Sequence, residues 1–172
     1  QLIVRKGDIF VWSRGEDLMT DKFLEFHPLS TILPDGTVID GEIIPWKEGR
    51  PLDFSLMQTR IGRKNLSKKA LEEAPLVMVC YDLLEWKGED IRHLPLAERR
   101  SLLIEVLKAY PVADVLKLSE ERIFASWAEA AQFRAEARQH DAEGLMLKRR
   151  SSPYEVGRKR GSWWKWKTEP MT

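Results

Sequence analysis

The sequence predicts an α+β domain built on mixed, largely antiparallel sheets flanked by helices. Three features carry that expectation. The chain opens on a hairpin pattern, strand-like and helix-like segments alternate through short links, and it closes on two further strand-like runs joined by a loop. Hairpins and short links favour antiparallel pairing, because a parallel pair needs a crossover of a dozen residues or more.

In order, Leu2 and Val4, then Ile9 and Val11, alternate around Lys6-Gly7-Asp8, the pattern of two strands joined by a glycine-bearing turn. Thr20-Asp21 are candidate caps for a short helix over Lys22 to Leu33, interrupted at Pro28. After the turn Pro34-Asp35-Gly36, the β-branched run Thr37 to Trp46 predicts a strand, and Gly41 in its middle implies a close approach. Asp53 and Ser67 are the expected N-caps of helices running to Arg60 and Glu73. Leu76 to Trp86 reads as an apolar strand, Leu96 to Tyr110 as a helix with Leu96, Leu103, Val106 and Leu107 on one side, and Ser126 to Gln139 as another helix. Gly144 to Arg149 and Ser162 to Lys167 are the closing strands.

The 172 residues are enough for one domain with a hydrophobic core. Their 43% apolar and 32% charged composition fits a soluble globular chain without a membrane span or signal peptide. The single cysteine, Cys80, lies in an apolar run and reads as a buried thiol of a reducing compartment, so the cytoplasm is the expected location, with nucleoid association if the source is bacterial. The formal net charge is only +1, but the charges are unevenly placed: Lys148 to Lys167 holds eight basic residues and one acid, leaving 20 basic and 26 acidic residues elsewhere. Tyr154, Trp163, Trp164 and Trp166 interleave with those cations, a composition that suits phosphates and nucleic acid as well as it suits a solvated strand pair.

The sequence contains no glycine-rich phosphate loop, clustered His/Cys metal motif or serine nucleophile elbow. The candidates for chemistry are carboxylates in apolar strands and paired cations. Asp40 and Glu42 stand two apart and share a strand face, where they can take a divalent cation or a ribose hydroxyl; taken alone, such a pair more often meets surface cations. Lys165 and Lys167 likewise share a face, with Trp164 and Trp166 on the other, and two ammonium groups on a rigid strand can grip a phosphate or simply protect a sheet edge. Tyr81 can stack on a base or belong to the core, and Arg14 can contact phosphate or end a solvated turn. The three histidines, His27, His93 and His140, sit at unrelated positions and receive no role.

Taken in order, Ser13-Arg14-Gly15, Asp40-Gly41-Glu42, Tyr81-Asp82-Leu83-Leu84, Glu143-Gly144-Leu145-Met146-Leu147-Lys148 and Lys165-Trp166-Lys167 resemble successive motifs of the covalent nucleotidyltransferases, most closely ATP-dependent DNA ligases of the bacterial and archaeal type. The resemblance spans essentially the whole chain. It implies the fold of the ligase adenylation (nucleotidyltransferase) domain over residues 1–172, ATP and Mg²⁺ as cofactors, nicked double-stranded DNA as substrate, and roles in repair, replication and recombination for a monomeric enzyme. Residue by residue, it implies that Glu42 contacts the ribose or a metal, Tyr81 stacks on adenine, and Glu143 binds the divalent ion. Lys159, Lys165 and Lys167 become phosphate contacts, Lys165 and Lys167 being the catalytic cations, and Arg14 lies at the nucleotide and DNA side, with Arg158 and Arg160 also toward DNA.

The resembled family attacks ATP with a lysine in a Lys-x-Asp-Gly-x-Arg motif, and no Lys-x-Asp-Gly occurs in this sequence. The expectation is therefore a domain cut before its first strand and before a following OB-fold domain, unable by itself to form the lysyl-adenylate. Two other readings remain open at this point: a noncatalytic nucleotide- or nucleic-acid-binding module, and an RNA ligase or capping guanylyltransferase, separable from a DNA ligase by GTP against ATP labelling.

Overall fold

The structure, a computed structural model, describes residues 1–140, 142–157 and 159–168, the side chain of His140 excepted. Strands β1 (Leu2–Arg5) and β2 (Asp8–Val11) form the expected antiparallel hairpin. Lys6 and Gly7 both take positive φ, 53° and 79°, the geometry of a type I′ turn whose twist matches that of the strands. Leu2, Val4, Ile9 and Val11 all turn to the core, as their alternation predicts.

The continuous short helix expected over residues 22–33 does not form. Two 3₁₀ turns, Thr20–Lys22 and Leu24–Phe26, precede a single α turn, α1 (Leu29–Ile32). Thr20 does not cap them; its hydroxyl accepts from the amide of Val11 and ties the segment to β2. Pro28 lacks the amide an uninterrupted helix would need, and Phe23, Phe26 and Leu29 instead fill the core beside the hairpin.

Strand β3 (Thr37–Lys47) and strand β5 (Leu76–Trp86) form the long antiparallel spine of the main sheet. Between them lie β4 (Arg50–Pro51), α2 (Phe54–Gly62) and α3 (Lys68–Glu73), the two helices capped as expected by Asp53 and Ser67. β6 (Glu89–Asp90), α4 (Leu96–Ala109) and β7 (Leu116–Leu118) follow. The seven-stranded sheet runs β2-β1-β3-β5-β6, with β4 on β3 and β7 on β5; β5–β7 is its one parallel pair among the described residues. α4 is the crossover that parallel pair requires, lying against β5 with Leu96, Leu103 and Val106 buried.

The close approach at Gly41 is made by the neighbouring strand. A Cβ there would stand 2.3 Å from the carbonyl oxygen of Val79 in β5. The pairing register shifts on either side of Ile39-Asp40, where β5 carries an extra residue against β3, Leu84 at the first shift and Tyr81 at the second.

The helix expected over residues 126–139 is shorter: α5 (Trp127–Ala135), capped by Ser126, gives way to a 3₁₀ turn at Ala137–His140. Strands β8 (Gly144–Lys148) and β9 (Trp163–Lys167) then pair into a separate two-stranded sheet. No helix among the described residues is long and apolar enough to cross a membrane.

The small sheet joins the main one through a polar hinge. Arg99 of α4, fully buried, donates from Nε and Nη2 to both carboxylate oxygens of buried Asp82 in β5, each at 2.8 Å. Its Nη1 reaches the carbonyl of Ser152, in the loop that follows β8, at 3.0 Å. That carbonyl also accepts from the Leu96 amide, while the Ser152 hydroxyl accepts from Trp163 Nε1.

Candidate functional site

Tyr81 projects from β5 beside Glu42 of β3, and its hydroxyl donates to Glu42 Oε2 at 2.7 Å. Burial, with the neighbouring Glu42 and Asp40 carboxylates, pushes the Tyr81 phenol well above its ordinary range, so it stays protonated and a donor. Asp40 accepts instead from the hydroxyl of Tyr154 at 2.9 Å, and burial and that carboxylate hold the Tyr154 phenol up at about 12. Each of the two strand carboxylates is thus held by a tyrosine, and among the described residues neither forms an ion pair with a side-chain cation.

The ladder register decides which side chains of the small sheet share a face. Lys148 lies opposite Trp163, Met146 opposite Lys165, and Gly144 opposite Lys167. Lys148, Lys165 and Lys167 therefore line one face together with Trp163, while Trp164 and Trp166 occupy the other, as the spacing predicts. Trp166 is covered on that second face by Trp127 and Arg134. At the near end of the lysine face, the ammonium of Lys148 stands 5.2 Å from the centre of the Tyr81 ring and 4.4 Å from that of Trp163. Gly144 is required for this sheet: it has φ +145°, and a Cβ would come within 2.3 Å of the Trp166 carbonyl oxygen.

Glu42, Tyr81 and Lys148, at the near end of the lysine face, are thereby brought together. Glu143 precedes β8 and is exposed; its carboxylate holds Lys167 Nζ at 3.1 Å. Lys165 is exposed, and no ion pair or hydrogen bond engages its ammonium among the described residues. Lys159 pairs with Glu155 at 3.6 Å and lines a cavity of 560 Å³ shared by Val38, Leu84, Arg92, Tyr154 and Trp163. That cavity is not lined by Glu42, Tyr81, Glu143, Lys165 or Lys167. Arg14 stays apart from them in the exposed turn after β2, where Ser13 Oγ accepts from the amides of Gly15 and Asp17. Arg160 is also exposed, and Arg158 lies outside the described residues.

Two contributors escaped the sequence reading. Lys148 ends an apolar strand in the pattern of an ordinary edge cation, and only the β8–β9 register turns it toward Tyr81. Arg99 sits in a helix beside a second arginine, Arg100, where both look like solvated charges; yet both are buried, Arg100 binding the carbonyls of Tyr81 and Ser119. A signal for Arg99 was present in Asp82, a carboxylate in a wholly apolar run that needs a buried partner.

Glu143 has the chemistry of one ligand of a divalent ion completed by substrate, whereas the ammonium of Lys167, a donor only, is a charge partner of that carboxylate and not a ligand. Mg²⁺ is commonly held by one or two carboxylates with the remaining ligands from phosphate and water. The exposed Glu143 carboxylate fits that pattern, and no group of three His, Cys, Asp or Glu among the described residues forms a self-sufficient cage.

The family model described as the ATP dependent DNA ligase domain matches residues 1–167. A probable DNA ligase from Koribacter versatilis is 32% identical over 98% of this chain and 33% of its own length. The DNA ligase of Archaeoglobus fulgidus is 36% identical over 91% of this chain and 28% of its own. The chain thus spans about a third of the length of the curated relatives it matches. Among solved structures, mycobacterial DNA ligase D complexed with ATP and MES superposes with a TM-score of 0.73 at 29% identity, covering 96% of this chain and 50% of that one. The Chlorella virus DNA ligase-adenylate has the same fold at 16% identity, with a TM-score of 0.68 over 96% of this chain and 58% of its own. With a family match over nearly its full length and the adenylation-domain fold in its architecture, the chain belongs to the ATP-dependent DNA ligase domain family.

Proposed function

We propose that this domain is the nucleotide-binding part of an ATP-dependent DNA ligase that joins nicked duplex DNA. The observation that carries the proposal is the convergence of three strands on one ring: Tyr81 of β5 bonds Glu42 of β3 and lies under Lys148 of β8. In this reading the Tyr81 ring stacks on adenine, and Glu42 takes a ribose hydroxyl through the carboxylate oxygen that Tyr81 leaves available. Lys165 and Lys167 hold the phosphates and stabilise the charge that develops as the α-phosphate is transferred; Lys159 adds a third cation. Arg14, Arg158 and Arg160 are assigned to the DNA backbone by their cationic chemistry, and the protein works as a monomer.

Glu143 would hold Mg²⁺, which when bound neutralises phosphate charge. Lys167 then exchanges its present partner, Glu143, for a phosphate oxygen. The attacking lysine of the resembled motif is not among these residues, so the 172-residue polypeptide alone forms no covalent adenylate. Incubation with radiolabelled ATP and Mg²⁺ followed by a denaturing gel tests that statement, and a labelled band on the isolated chain overturns it. Binding of ATP without labelling is the expected result, weakened about fivefold or more by Tyr81→Ala, since base–aromatic stacking contributes about 1–3 kcal/mol.

The basic stretch from Lys148 to Lys167, with its interleaved aromatics, also suits a second reading, a noncatalytic nucleotide- or nucleic-acid-binding module. It predicts steeply salt-dependent binding to nicked duplex that is indifferent to ATP.

A further inference from the structure

We propose that Lys148 guards the nucleotide seat: its ammonium covers the Tyr81 ring in the free protein, and the base enters by displacing it. The inference rests on the reading of Tyr81 as the stacking residue. It adds a competitor for the same aromatic face.

Spacing is the first argument. Aromatic carbons in contact lie ~3.5–4.0 Å apart. A base sandwiched between Tyr81 and the ammonium would separate them by roughly twice that distance. The Lys148 Nζ stands 5.2 Å from the ring centre, well inside the separation that a sandwiched base needs. Base and ammonium therefore exclude each other from this face unless the lysine swings aside.

The second argument is the state of the ammonium. Its contacts are aromatic, Tyr81 and Trp163, and no hydrogen bond or ion pair satisfies its three N–H donors among the described residues. Partial burial lowers the Lys148 pKa from the ordinary lysine value, a direction opposed by Asp82 and Asp40. A cation held this way is retained by ring faces rather than by directional bonds, so it can leave one ring without breaking a hydrogen bond. Trp163 lies directly opposite Lys148 in the β8–β9 ladder and its ring is the nearer, at 4.4 Å. The four-carbon stem allows the ammonium to withdraw from Tyr81 while keeping Trp163.

Adenosine is the discriminating probe, because it lacks phosphates and its binding does not report the loss of general attraction between a lysine and an anion. Calorimetric titration of the 172-residue chain should show adenosine binding strengthened about three- to tenfold by Lys148→Met, the range expected from releasing one partly desolvated cation–π contact. Lys148→Ala should act in the same direction, and near-ultraviolet circular dichroism of both variants checks their packing. Tyr81→Ala should remove adenosine binding in either background. If Tyr81→Ala removes binding while the Lys148 variants bind adenosine equally or more weakly, the guard is wrong and the stacking role survives. If Tyr81→Ala binds as the unsubstituted chain does, the stacking role itself fails and the guard with it. Absence of binding in both the unsubstituted chain and Lys148→Met also overturns the proposal.

Discussion

The hydroxyl of Tyr81 donates to Oε2 of Glu42 across the β3–β5 ladder at 2.7 Å, so one side chain offers an aromatic face and also fixes a carboxylate. These two contributions separate by substitution. Tyr81→Phe keeps the ring and loses the bond, and should change ATP affinity by no more than about threefold, whereas Tyr81→Leu should weaken it about fivefold or more. Titration with ATP measures both.

The buried Arg99–Asp82 pair predicts an asymmetric stability result. Arg99→Met leaves a carboxylate buried without its partner and should destabilise the domain by about 3–5 kcal/mol in urea unfolding. Adding Asp82→Asn should recover part of that loss, because the uncompensated charge is removed. Equal stability of Arg99→Met and the unsubstituted protein would show that the pair is not buried as described.

Gly41 and Gly144 each leave no room for a side chain. Gly41→Ala and Gly144→Ala should each lower stability by more than about 1 kcal/mol, Gly144→Ala the more because φ +145° is itself unfavourable to an L residue. Thermal unfolding of the two variants, with Gly49→Ala as a control where a Cβ meets nothing within 4 Å and only the backbone strain is sampled, checks the order.

Alkaline pH should loosen the contact between Tyr154 and Asp40. The Tyr154 phenol ionises near 10.0 when unperturbed and at about 12 in the fold, so its contribution is complete below the lower value and is lost as pH rises through the higher. Allowing for a side chain that is only half-buried, the loss is about 1 kcal/mol. Unfolding free energies measured on either side of this window should fall further for the unsubstituted protein than for Tyr154→Phe.

Much of the main sheet was legible because one physical signal dominated it. Period-two alternation in Leu2 to Val11, the β-branched run of β3 and the long, mostly apolar run of β5 specified both existence and extent of those strands. Asp53 and Ser67 announced their helices by cap chemistry. The segment from Thr20 to Leu33 was misread because its apolar residues serve a core contact rather than a helical stripe, and Pro28 divides it. β7 escaped notice since Leu116-Lys117-Leu118 is too short to show a period; it is a strand because β5 offers an open edge beside α4. At the candidate site, residue types were readable but pairings were not. Nothing in the spacing joins Tyr81 to Glu42, Tyr154 to Asp40 or Lys167 to Glu143, since each pair depends on register or on the meeting of two sheets.

No residue of β8 or β9 is fully buried, although the neighbouring hinge contains the wholly enclosed guanidinium of Arg99. The small sheet thus has little apolar interior of its own and is anchored at one end. Its amides should exchange with deuterated solvent ahead of those of β3 and β5, as a cooperative unit of lower opening free energy. The cationic strand face would then sit on the part of the domain that yields first, and a bound polyphosphate would register as slowed exchange in β8 and β9 while the long central strands stay as they were.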